Sequence, residues 1–289
     1  MNRSENSYFS RWNPAACLRI SGEDSTSFLQ GQITNDLHKA GGDAGIYGLW
    51  LNQKGKVLAD GFVRRISDQD YRVVSYFSLA KVIRERLEAY IIADDVIVED
   101  ITGTMAGITC FGAAVPALPP GAWSFSGRRS RDVHWEIVYP RSEGAAMDAV
   151  VMNAGELTPS ELERRRIVAG IPAVPTDIGP GELPNEGGLE TDAISYTKGC
   201  YLGQEVIARL KAMGQVRRRL VRVRGDGAPP PVPAAVFQGG RKAGEISSVA
   251  VDGGAWIGLA LVTLLAVRPA EGLALAPDGP AGVTWHEIT

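Results

Sequence analysis

The segment Lys198-Gly-Cys-Tyr-Leu-Gly-Gln-Glu205, with Arg209 four residues beyond it, is the most informative part of this sequence. Its cysteine, Cys200, comes two residues after Lys198 and just before a short helix predicted over residues 203–213. A nearby ammonium group and the positive end of a helix both favour a thiolate over a thiol. The segment therefore predicts a reactive cysteine beside an activating lysine.

The residues around this cysteine allow two interpretations. Gly199 and Gly203 let the backbone adopt a positive φ or approach a ligand closely. Gln204 and Glu205 lie in the first helical turn, where they either bind a ligand or complement the helix dipole. In the alternative interpretation, Cys200 is a small buried hydrophobic residue, and Gln204 and Glu205 only cap the helix. The residues alone leave both interpretations open.

Length and composition narrow the class of protein. The chain has 289 residues, 45% of them hydrophobic, which predicts two domains or one large domain with a core of its own. Its 30 basic and 33 acidic residues leave a net charge of -3, which argues against a protein held mainly by phosphate contacts. Three cysteines form no closed disulfide framework, and three dispersed histidines predict no metal site. Cys17 and Cys110 lie in apolar runs and are expected in the core.

The predicted elements change in character near Arg217. Upstream, strands and helices are interspersed. They include a strand over residues 15–21, a hairpin of residues 45–52 and 57–66, a helix that Ser78 caps, a Pro- and Gly-rich loop over residues 115–127, and a helix that the Thr158 capping box opens and Gly170 ends. Downstream, short β-like runs separated by Pro and Gly turns suggest a small barrel or sandwich. We therefore divide the chain into domains of residues 1–216 and 217–289.

Targeting signals are not evident in the sequence. No stretch approaches eighteen uninterrupted apolar residues, and the first fourteen residues lack the apolar core of a signal peptide. We expect a cytoplasmic protein that does not enter a membrane.

The Cys200 segment and several others resemble one family. Lys198–Glu205, Arg209 and the basic run after Gly214 look like the signature of YgfZ-type folate-binding proteins, relatives of the aminomethyltransferase T-protein of the glycine cleavage system. The resemblance extends to four other segments, which are residues 28–36, 46–56, 169–172 and 183–189.

This resemblance implies a fold, a cofactor and a process. The expected fold is α+β, with two α/β subdomains and a C-terminal β-barrel forming a ring around a central folate cleft. The cofactor is tetrahydrofolate or a derivative. Family members of this type are associated with the maturation or repair of iron–sulfur proteins, including tRNA-thiolating enzymes. The implied partners are iron–sulfur client or assembly proteins, with tRNA involved at most indirectly.

Two further positions follow from the T-protein pattern Asn-x-x-Gly-Gly-x-x-Asp-Asp. This chain reads Asn52-Gln-Lys-Gly-Lys-Val-Leu-Ala-Asp60, so Asp60 falls at the catalytic carboxylate of the T-protein. Tyr47 falls at an aromatic folate contact. The chain departs from the pattern at Lys56 and Ala59, where the T-protein has glycine and aspartate. In the alternative interpretation Asp60 is a surface residue that closes an edge strand.

The candidate site thus comprises a small set of residues. The candidate catalytic residues are Cys200, Lys198 and Asp60, and the candidate folate-binding residues are Tyr47, Asp60, Glu186, Tyr201, Gln204, Glu205 and Arg209. The arginine runs 164–166 and 217–219 either meet the glutamate tail of a folate or phosphates, or form solvated faces.

Three functional hypotheses are compatible with these residues. The first is a folate-binding accessory protein for iron–sulfur maturation that presents Cys200. The second is a folate-dependent one-carbon transferase that uses Asp60, and the third is a scaffold that needs neither folate nor thiol. One cysteine does not hold a stable cluster, which takes about four protein ligands, so any contact of Cys200 with a cluster is transient or shared with a partner.

Overall fold

Three five-stranded sheets organise the molecule. The computed structural model describes residues 7–39, 45–112, 115–214, 216–268 and 270–288. Its strands are β1 (Tyr8–Trp12), β2 (Ala16–Ser21), β3 (Ile46–Leu51), β4 (Val57–Ser67), β5 (Asp70–Ser75), β6 (Ile97–Asp100), β7 (Met105–Phe111), β8 (Trp123–Ser126), β9 (His134–Pro140), β10 (Gly155–Glu156), β11 (Arg218–Asp226), β12 (Ala234–Gln238), β13 (Arg241–Asp252), β14 (Ala255–Thr263) and β15 (Thr284–Glu287). Its α-helices are α1 (Ser25–Gln32), α2 (Ala80–Glu88), α3 (Gly144–Val151), α4 (Pro159–Ala169) and α5 (Gln204–Met213).

The first sheet has the order β3-β4-β5-β2-β6 and is antiparallel throughout. Residues on one of its faces form a core with α1 and α2, in which Trp50, Leu18 and Ile83 are fully buried. Asn52 follows β3 and stabilises the turn to β4, because its Oδ1 accepts hydrogen bonds from the backbone N–H groups of Lys54 (2.9 Å) and Lys56 (3.0 Å). This confirms the predicted hairpin.

The second sheet combines the start of the described chain with its middle, in the order β10-β1-β7-β9-β8. The strand β8 lies within residues 115–127, which were predicted to be a loop, so that prediction was wrong for Trp123–Ser126 and correct for residues 115–122. Trp123 and Phe125 are buried when β8 pairs with β9, and this burial outweighs the turn-forming character of the preceding Pro and Gly residues. Helix α3 packs on the sheet through Met147 and Val151.

The third sheet, with the order β12-β13-β14-β11-β15, is the C-terminal barrel-like part. Isolated bridges from Phe237 to Ala274 and from Leu273 to Val283 extend it, and Trp256 and Trp285 lie in its core. The helix α4 packs on it through Ile167, which contacts Leu220 and Leu259.

Local signals predicted one helix start correctly and another incorrectly. Thr158 caps α4, since its Oγ1 accepts a hydrogen bond from the Glu161 N–H (3.2 Å), and Gly170 ends the helix at φ 72°. Ser78 does not cap α2. The helix begins after Leu79 without a side-chain cap, and the Ser78 hydroxyl instead donates to Asp60.

None of the helices among the described residues is both long enough and apolar enough to cross a bilayer.

Candidate functional site

Lys198 is a buried cation that closes the end of α1. Its Nζ donates hydrogen bonds to the backbone carbonyls of Gln30, Ile33 (2.6 Å) and Asn35 (2.9 Å). A cation at a helix C-terminus is favourable because the last carbonyls lack intrahelical partners. The ammonium also lies 5.4 Å from the centroid of the Tyr201 ring. All three N–H donors of Lys198 are therefore used on the backbone, which differs from the role of thiolate partner that the sequence suggested.

Burial changes the proton affinity of this lysine. It lowers the pKa of Lys198 to about 8, against the opposing charge of Asp36, whereas an exposed lysine titrates near 10.4. Between pH 8 and about 10.4 the unfolded chain thus binds one proton more than the folded chain at this position. Lys198 should make the free energy of unfolding rise with pH across that window.

We expect a titration of the lysine Nζ resonances by NMR to show one group with a midpoint near 8. Lys198→Met should remove that resonance and leave the others. The same variant should lose the extra rise in unfolding free energy between pH 8 and 10. A midpoint of about 10.4 for Lys198 would contradict this assignment.

The Cys200 loop rests on the hairpin between β3 and β4. Gly203 has φ 84°, and a Cβ at this position would lie 2.8 Å from the carbonyl oxygen of Asn52 and 3.1 Å from the Cα of Gly55. Gly55 has φ 69°, and its own Cβ would meet Val206 at 2.9 Å. The two family segments thus contact each other through paired glycines, because any side chain would separate them.

Cys200 is exposed, whereas the other two cysteines are not. Burial raises the pKa of Cys17 to about 12 and that of Cys110 to about 11, so both thiols stay protonated near neutral pH. This confirms that Cys17 lies in the core, whereas Cys110 is partly buried against the core of the second sheet. The exposure of Cys200 removes its interpretation as a buried hydrophobic residue.

The remaining residues of the segment either support the Cys200 loop or lie exposed on α5. Tyr201 is buried, and burial raises its pKa to about 12. Gln204 accepts a hydrogen bond from the Tyr201 N–H at 3.3 Å, so its side chain supports the loop. Glu205 and Arg209 are exposed on α5.

Asp60 is a buried carboxylate on β4. Its Oδ1 accepts hydrogen bonds from the hydroxyls of Ser75 (3.0 Å) and Ser78 (2.7 Å), and its Oδ2 accepts one from Tyr47 (2.9 Å). Burial raises the pKa of Asp60, while the three hydroxyls and the charge of Arg128 oppose this rise. The side chain is 4% exposed, which excludes the interpretation of Asp60 as a surface residue.

Arg128 connects the Asp60 cluster to a central cavity. Its guanidinium lies 4.4 Å from the centroid of the Tyr47 ring and pairs with Asp192 at 2.6 Å. Asn35 donates to the carbonyls of both Tyr47 and Asp192, each at 2.9 Å, and so joins the first sheet to the segment that precedes the Cys200 loop.

The central cavity has a volume of about 350 Å³. It is lined by residues from the loop between β8 and β9, from the segment between the end of α4 and residue 192, and from the C-terminal barrel-like part. Its described lining consists of Arg128, Arg131, Ala169, Gly170, Ile171, Pro172, Gly187, Gly188, Glu190, Thr191, Asp192, Arg219, Leu220 and Ile288. Asp60, Tyr47 and Cys200 are not part of that lining. Asp60 accepts a hydrogen bond from Tyr47, and the Tyr47 ring in turn lies against Arg128, which lines the cavity.

Glu190 is the most unusual residue of this lining. Its Oε2 is buried and accepts no hydrogen bond from the residues that the structure describes. Burial raises the pKa of Glu190, and the nearby positive charge of Arg219 opposes the rise. A buried acceptor without a donor is costly, so this oxygen is suited to a ligand that carries N–H or O–H groups.

Glu186, a candidate folate ligand, has a different environment. Its carboxylate is 5% exposed and accepts two hydrogen bonds from Arg218 (3.0 and 3.1 Å) and one from the Leu183 N–H (2.8 Å). These contacts tie the segment before the Cys200 loop to β11. The structure therefore gives Glu186 the role of a link between the two predicted domains.

Sequence reasoning missed Arg128, Arg131, Glu190 and Asp192 as cavity residues. The cluster Arg128-Arg-Ser-Arg131 was a visible signal, since basic runs often face anions. Glu190 and Asp192 carried no such signal. For a metal, the described residues offer no cluster of three or more His, Cys, Asp and Glu side chains.

Comparison with known proteins accounts for this architecture. The GCVT N-terminal domain family matches residues 13–118, and the CAF17 C-terminal β-barrel domain family matches residues 217–286. The chain is therefore similar to a GCVT N-terminal domain over its first part and to a CAF17-type barrel domain over its last part. The Cys200 segment lies between the two matched regions, and the resemblance to YgfZ-type proteins is confirmed.

Relatives include a human protein named iron–sulfur cluster assembly factor IBA57, mitochondrial. It is 30% identical over 236 residues, which are 72% of this chain and 63% of the human protein. A protein of Sodalis glossinidius named tRNA-modifying protein YgfZ is 25% identical over 236 residues, which are 75% of this chain and 71% of that protein. The chain thus spans somewhat less than two thirds of the human relative and somewhat more of the bacterial one.

The fold has a counterpart among solved structures. The glycine cleavage system aminomethyltransferase T of Bartonella henselae superimposes with a TM-score of 0.77, covering 95% of this chain and 83% of that protein at 14% sequence identity. At this identity the likeness concerns the fold alone. It confirms the predicted T-protein-like α+β architecture of the GCVT domain and barrel domain.

Proposed function

We propose that this protein is a folate-binding accessory factor for the maturation or repair of iron–sulfur proteins and that Cys200 carries its chemistry. The observation that supports this most directly is the exposure of Cys200 on a loop that Lys198 and Gly203 anchor, while Cys17 is buried and Cys110 is partly buried. An exposed thiol on an anchored loop is accessible to a second protein. The names of the human and bacterial relatives support the same process.

The residues of the central cavity fit a folate. A volume of about 350 Å³ lies within the range of small-molecule sites. The unpartnered Oε2 of Glu190 is an acceptor for the amino and ring N–H groups of a pterin, and Arg219 is a donor for the glutamate carboxylates. A tetrahydrofolate bound there would supply a carrier of one-carbon groups.

The position of Asp60 supports an accessory role more than aminomethyl transfer. Its two oxygens already accept hydrogen bonds from three hydroxyls, and it is not part of the cavity lining, which it reaches through Tyr47 and Arg128. We therefore infer that Asp60 is a positioning residue. It orients the Tyr47 hydroxyl, and the Tyr47 ring in turn supports the Arg128 guanidinium at the cavity wall.

A single thiol also limits the kind of iron–sulfur chemistry. Because a stable cluster takes about four protein ligands, a cluster or sulfur atom at Cys200 would be shared with a client or assembly protein. The proposed partners are such client or assembly proteins. The involvement of tRNA is indirect, through client enzymes that modify it.

Replacing the thiol tests its role. In a bacterial strain that lacks its own gene for this function, we expect Cys200→Ser to give at least tenfold less of a tRNA thiolation that depends on an iron–sulfur enzyme. Cys110→Ser is the matched control and should restore the modification, because that thiol is partly buried and burial raises its pKa to about 11. Full rescue by Cys200→Ser, with both variants equally abundant, would remove the cysteine from the mechanism.

Calorimetry separates the accessory factor from a scaffold. Titration of the full chain with tetrahydrofolate should give binding heat at a single site, and Glu190→Gln should weaken it. Absence of any heat with the wild type would contradict the folate part of the proposal and leave the scaffold hypothesis.

A further inference from the structure

The lysines of this chain differ in whether they have an acidic partner. Of the seven in the sequence, Lys81 and Lys242 each form an ion pair with a glutamate on the same element, at 3.7 and 3.1 Å. The other five are Lys39, Lys54, Lys56, Lys198 and Lys211. Among the residues that the structure describes, none of these five has a carboxylate oxygen at ion-pair distance. All five belong to three segments, which are residues 34–39, 52–56 and 197–211.

These three segments meet at the Cys200 loop. The Lys39 Nζ donates a hydrogen bond to the Thr197 Oγ1 at 3.4 Å. The hairpin turn between β3 and β4, which carries two of the lysines, contacts the loop through the paired glycines described above. The Lys211 Nζ lies 3.8 Å from the centroid of the Tyr196 ring, just before the loop. The lysines without acidic partners are thus grouped around the one exposed thiol of the described chain.

The surface that these segments form carries an excess of positive charge. We call it the basic face, and its cations are Lys39, Lys54, Lys56, Arg209 and Lys211. All of them are exposed except Lys56, which is half-buried, whereas the ammonium of Lys198 is buried and is not counted. The same segments contain two carboxylates, Asp36 and Glu205, so the excess is about +3. The whole chain has a net charge of -3, so this excess is opposite in sign to the charge of the molecule.

The chemistry of lysine indicates what such a face attracts. A lysine ammonium is a compact, strongly hydrated point charge on a flexible stem, and it lacks the planar fork with which arginine binds one anion in a fixed geometry. Exposed charges of one sign attract an oppositely charged surface over several ångströms and raise the rate of association. The basic face is therefore suited to guide a large acidic surface toward Cys200.

We infer that the basic face docks an acidic protein surface, whose carboxylates meet Lys39, Lys54 and Lys211 while the partner reaches Cys200. The inference rests on the proposed function, in which Cys200 acts on a second protein. It adds the chemical character of that protein, because the docking side of the partner must be rich in aspartate and glutamate.

RNA is the other polyanion that a basic face attracts, and the residues favour it less. Proteins that bind single-stranded RNA combine positive charge with aromatic rings on which the bases stack. Here Tyr201 is buried, and Tyr196 is half-buried with its ring against the Lys211 ammonium. The segments of the basic face thus present charge without a stacking surface, which fits carboxylates better than nucleotides.

The test measures how fast Cys200 of the full chain reacts with probes of different charge. The probes are an octaglutamate peptide, an octaserine peptide and an RNA octanucleotide, each carrying one thiol activated as a mixed disulfide with 2-thiopyridine. The Cys200 thiolate attacks the sulfur of the probe, a new disulfide forms, and the released pyridine thiolate is followed by its absorbance. Cys200→Ser gives the background rate. At low salt we expect octaglutamate to react roughly tenfold faster than octaserine, and in about 1 M salt the two rates should converge because the charges are screened.

Two variant chains with the same change in net charge show whether the basic face causes the difference. The first combines three substitutions at exposed side chains of the face, Lys39→Gln, Lys54→Gln and Lys211→Gln. The second combines three at exposed, ion-paired cations of α2 and the barrel-like part, Lys81→Gln, Lys242→Gln and Arg268→Gln. The ratio of the octaglutamate rate to the octaserine rate should fall toward one in the first chain and stay near tenfold in the second.

The outcomes separate this inference from the proposed function. Equal rates with octaglutamate and octaserine in the wild type would overturn the acidic partner, while the complementation by Cys200→Ser still decides the role of the thiol. An RNA probe that reacts faster than octaglutamate and depends on the same lysines would assign the face to RNA and overturn the inference. A ratio that falls equally in both variant chains would show that net charge, and not the basic face, attracts the probe. No reaction of Cys200 with any probe would contradict the accessible thiol, and with it the proposed function.

Discussion

Replacing Arg166 with alanine is expected to lower the free energy of unfolding by about 3–5 kcal/mol, the usual cost of removing one partner of a buried ion pair. Arg166 is 2% exposed and donates to Asp177 (2.7 Å), Ser248 (2.8 Å) and Glu163 (2.9 Å). It also donates to the carbonyl of Ile171. One side chain thus holds together α4, the segment after it and β13 of the barrel domain.

The reason for the large effect lies with the partner that remains. The side chain of Asp177 has no solvent exposure, and it accepts further hydrogen bonds from Ser247, Ser248 and the Ala173 N–H. Without Arg166 this carboxylate would stay buried with no compensating charge. It would then have to take up a proton or draw water into the interface between α4 and the barrel domain.

Urea unfolding of wild type and variant measures the effect, and Arg164→Ala is its control on the same helix. Arg164 is 33% exposed, and its ion pairs with Glu161 and Asp252 are partly solvated, so its loss should cost about 1 kcal/mol or less. If Arg166→Ala and Arg164→Ala differ by less than 1 kcal/mol, the buried pair does not stabilise the interface between α4 and the barrel domain.

The arginine runs illustrate what the sequence could not predict. Residues 164–166 are adjacent, yet they have different environments. Arg164 and Arg165 line a cavity, whereas Arg166 is buried in an ion pair with Asp177. Consecutive residues of an α-helix point about 100° apart, and so a run of like charges does not share one environment. The direction of each side chain depends on which face of α4 meets the barrel domain, and that is a tertiary property.

Local sequence signals predicted the structure correctly where the interacting residues lie close together in the sequence. The hairpin turn at Asn52 and the Thr158 cap both use contacts within four residues, and both were predicted. Lys198 was assigned to Cys200 because the two are neighbours in sequence. Its observed acceptors lie more than 160 residues away, at the end of α1, which no local pattern indicates.

Asp60 shows the same limit within the candidate site. The family pattern placed a functional carboxylate at this position, and its hydrogen bond to Tyr47 supports a shared role. Its burial behind Arg128 depends on the second sheet, which brings that arginine over the Tyr47 ring. The separation between a positioning carboxylate and a cavity wall therefore becomes visible only once the sheets are assembled.

The second large effect concerns the contact between the Cys200 loop and the hairpin. Gly203→Ala is expected to lower the free energy of unfolding by about 2–4 kcal/mol. A non-glycine residue at φ 84° is strained, and its Cβ would overlap backbone atoms of Asn52 and Gly55 rather than the end of a flexible side chain. The loop or the hairpin must therefore move.

Gly199→Ala is the control within the same segment. A Cβ there meets no atom among the described residues within 4 Å, so this substitution should change stability by less than about 0.5 kcal/mol. Urea unfolding gives both values, and hydrogen exchange at the Tyr201 and Gln204 amides reports whether the loop opens locally. We expect Gly203→Ala to speed this exchange and to weaken complementation, because a displaced loop no longer presents Cys200 in one position. Equal stability and exchange in the two variants would mean that the glycine pair does not anchor the thiol.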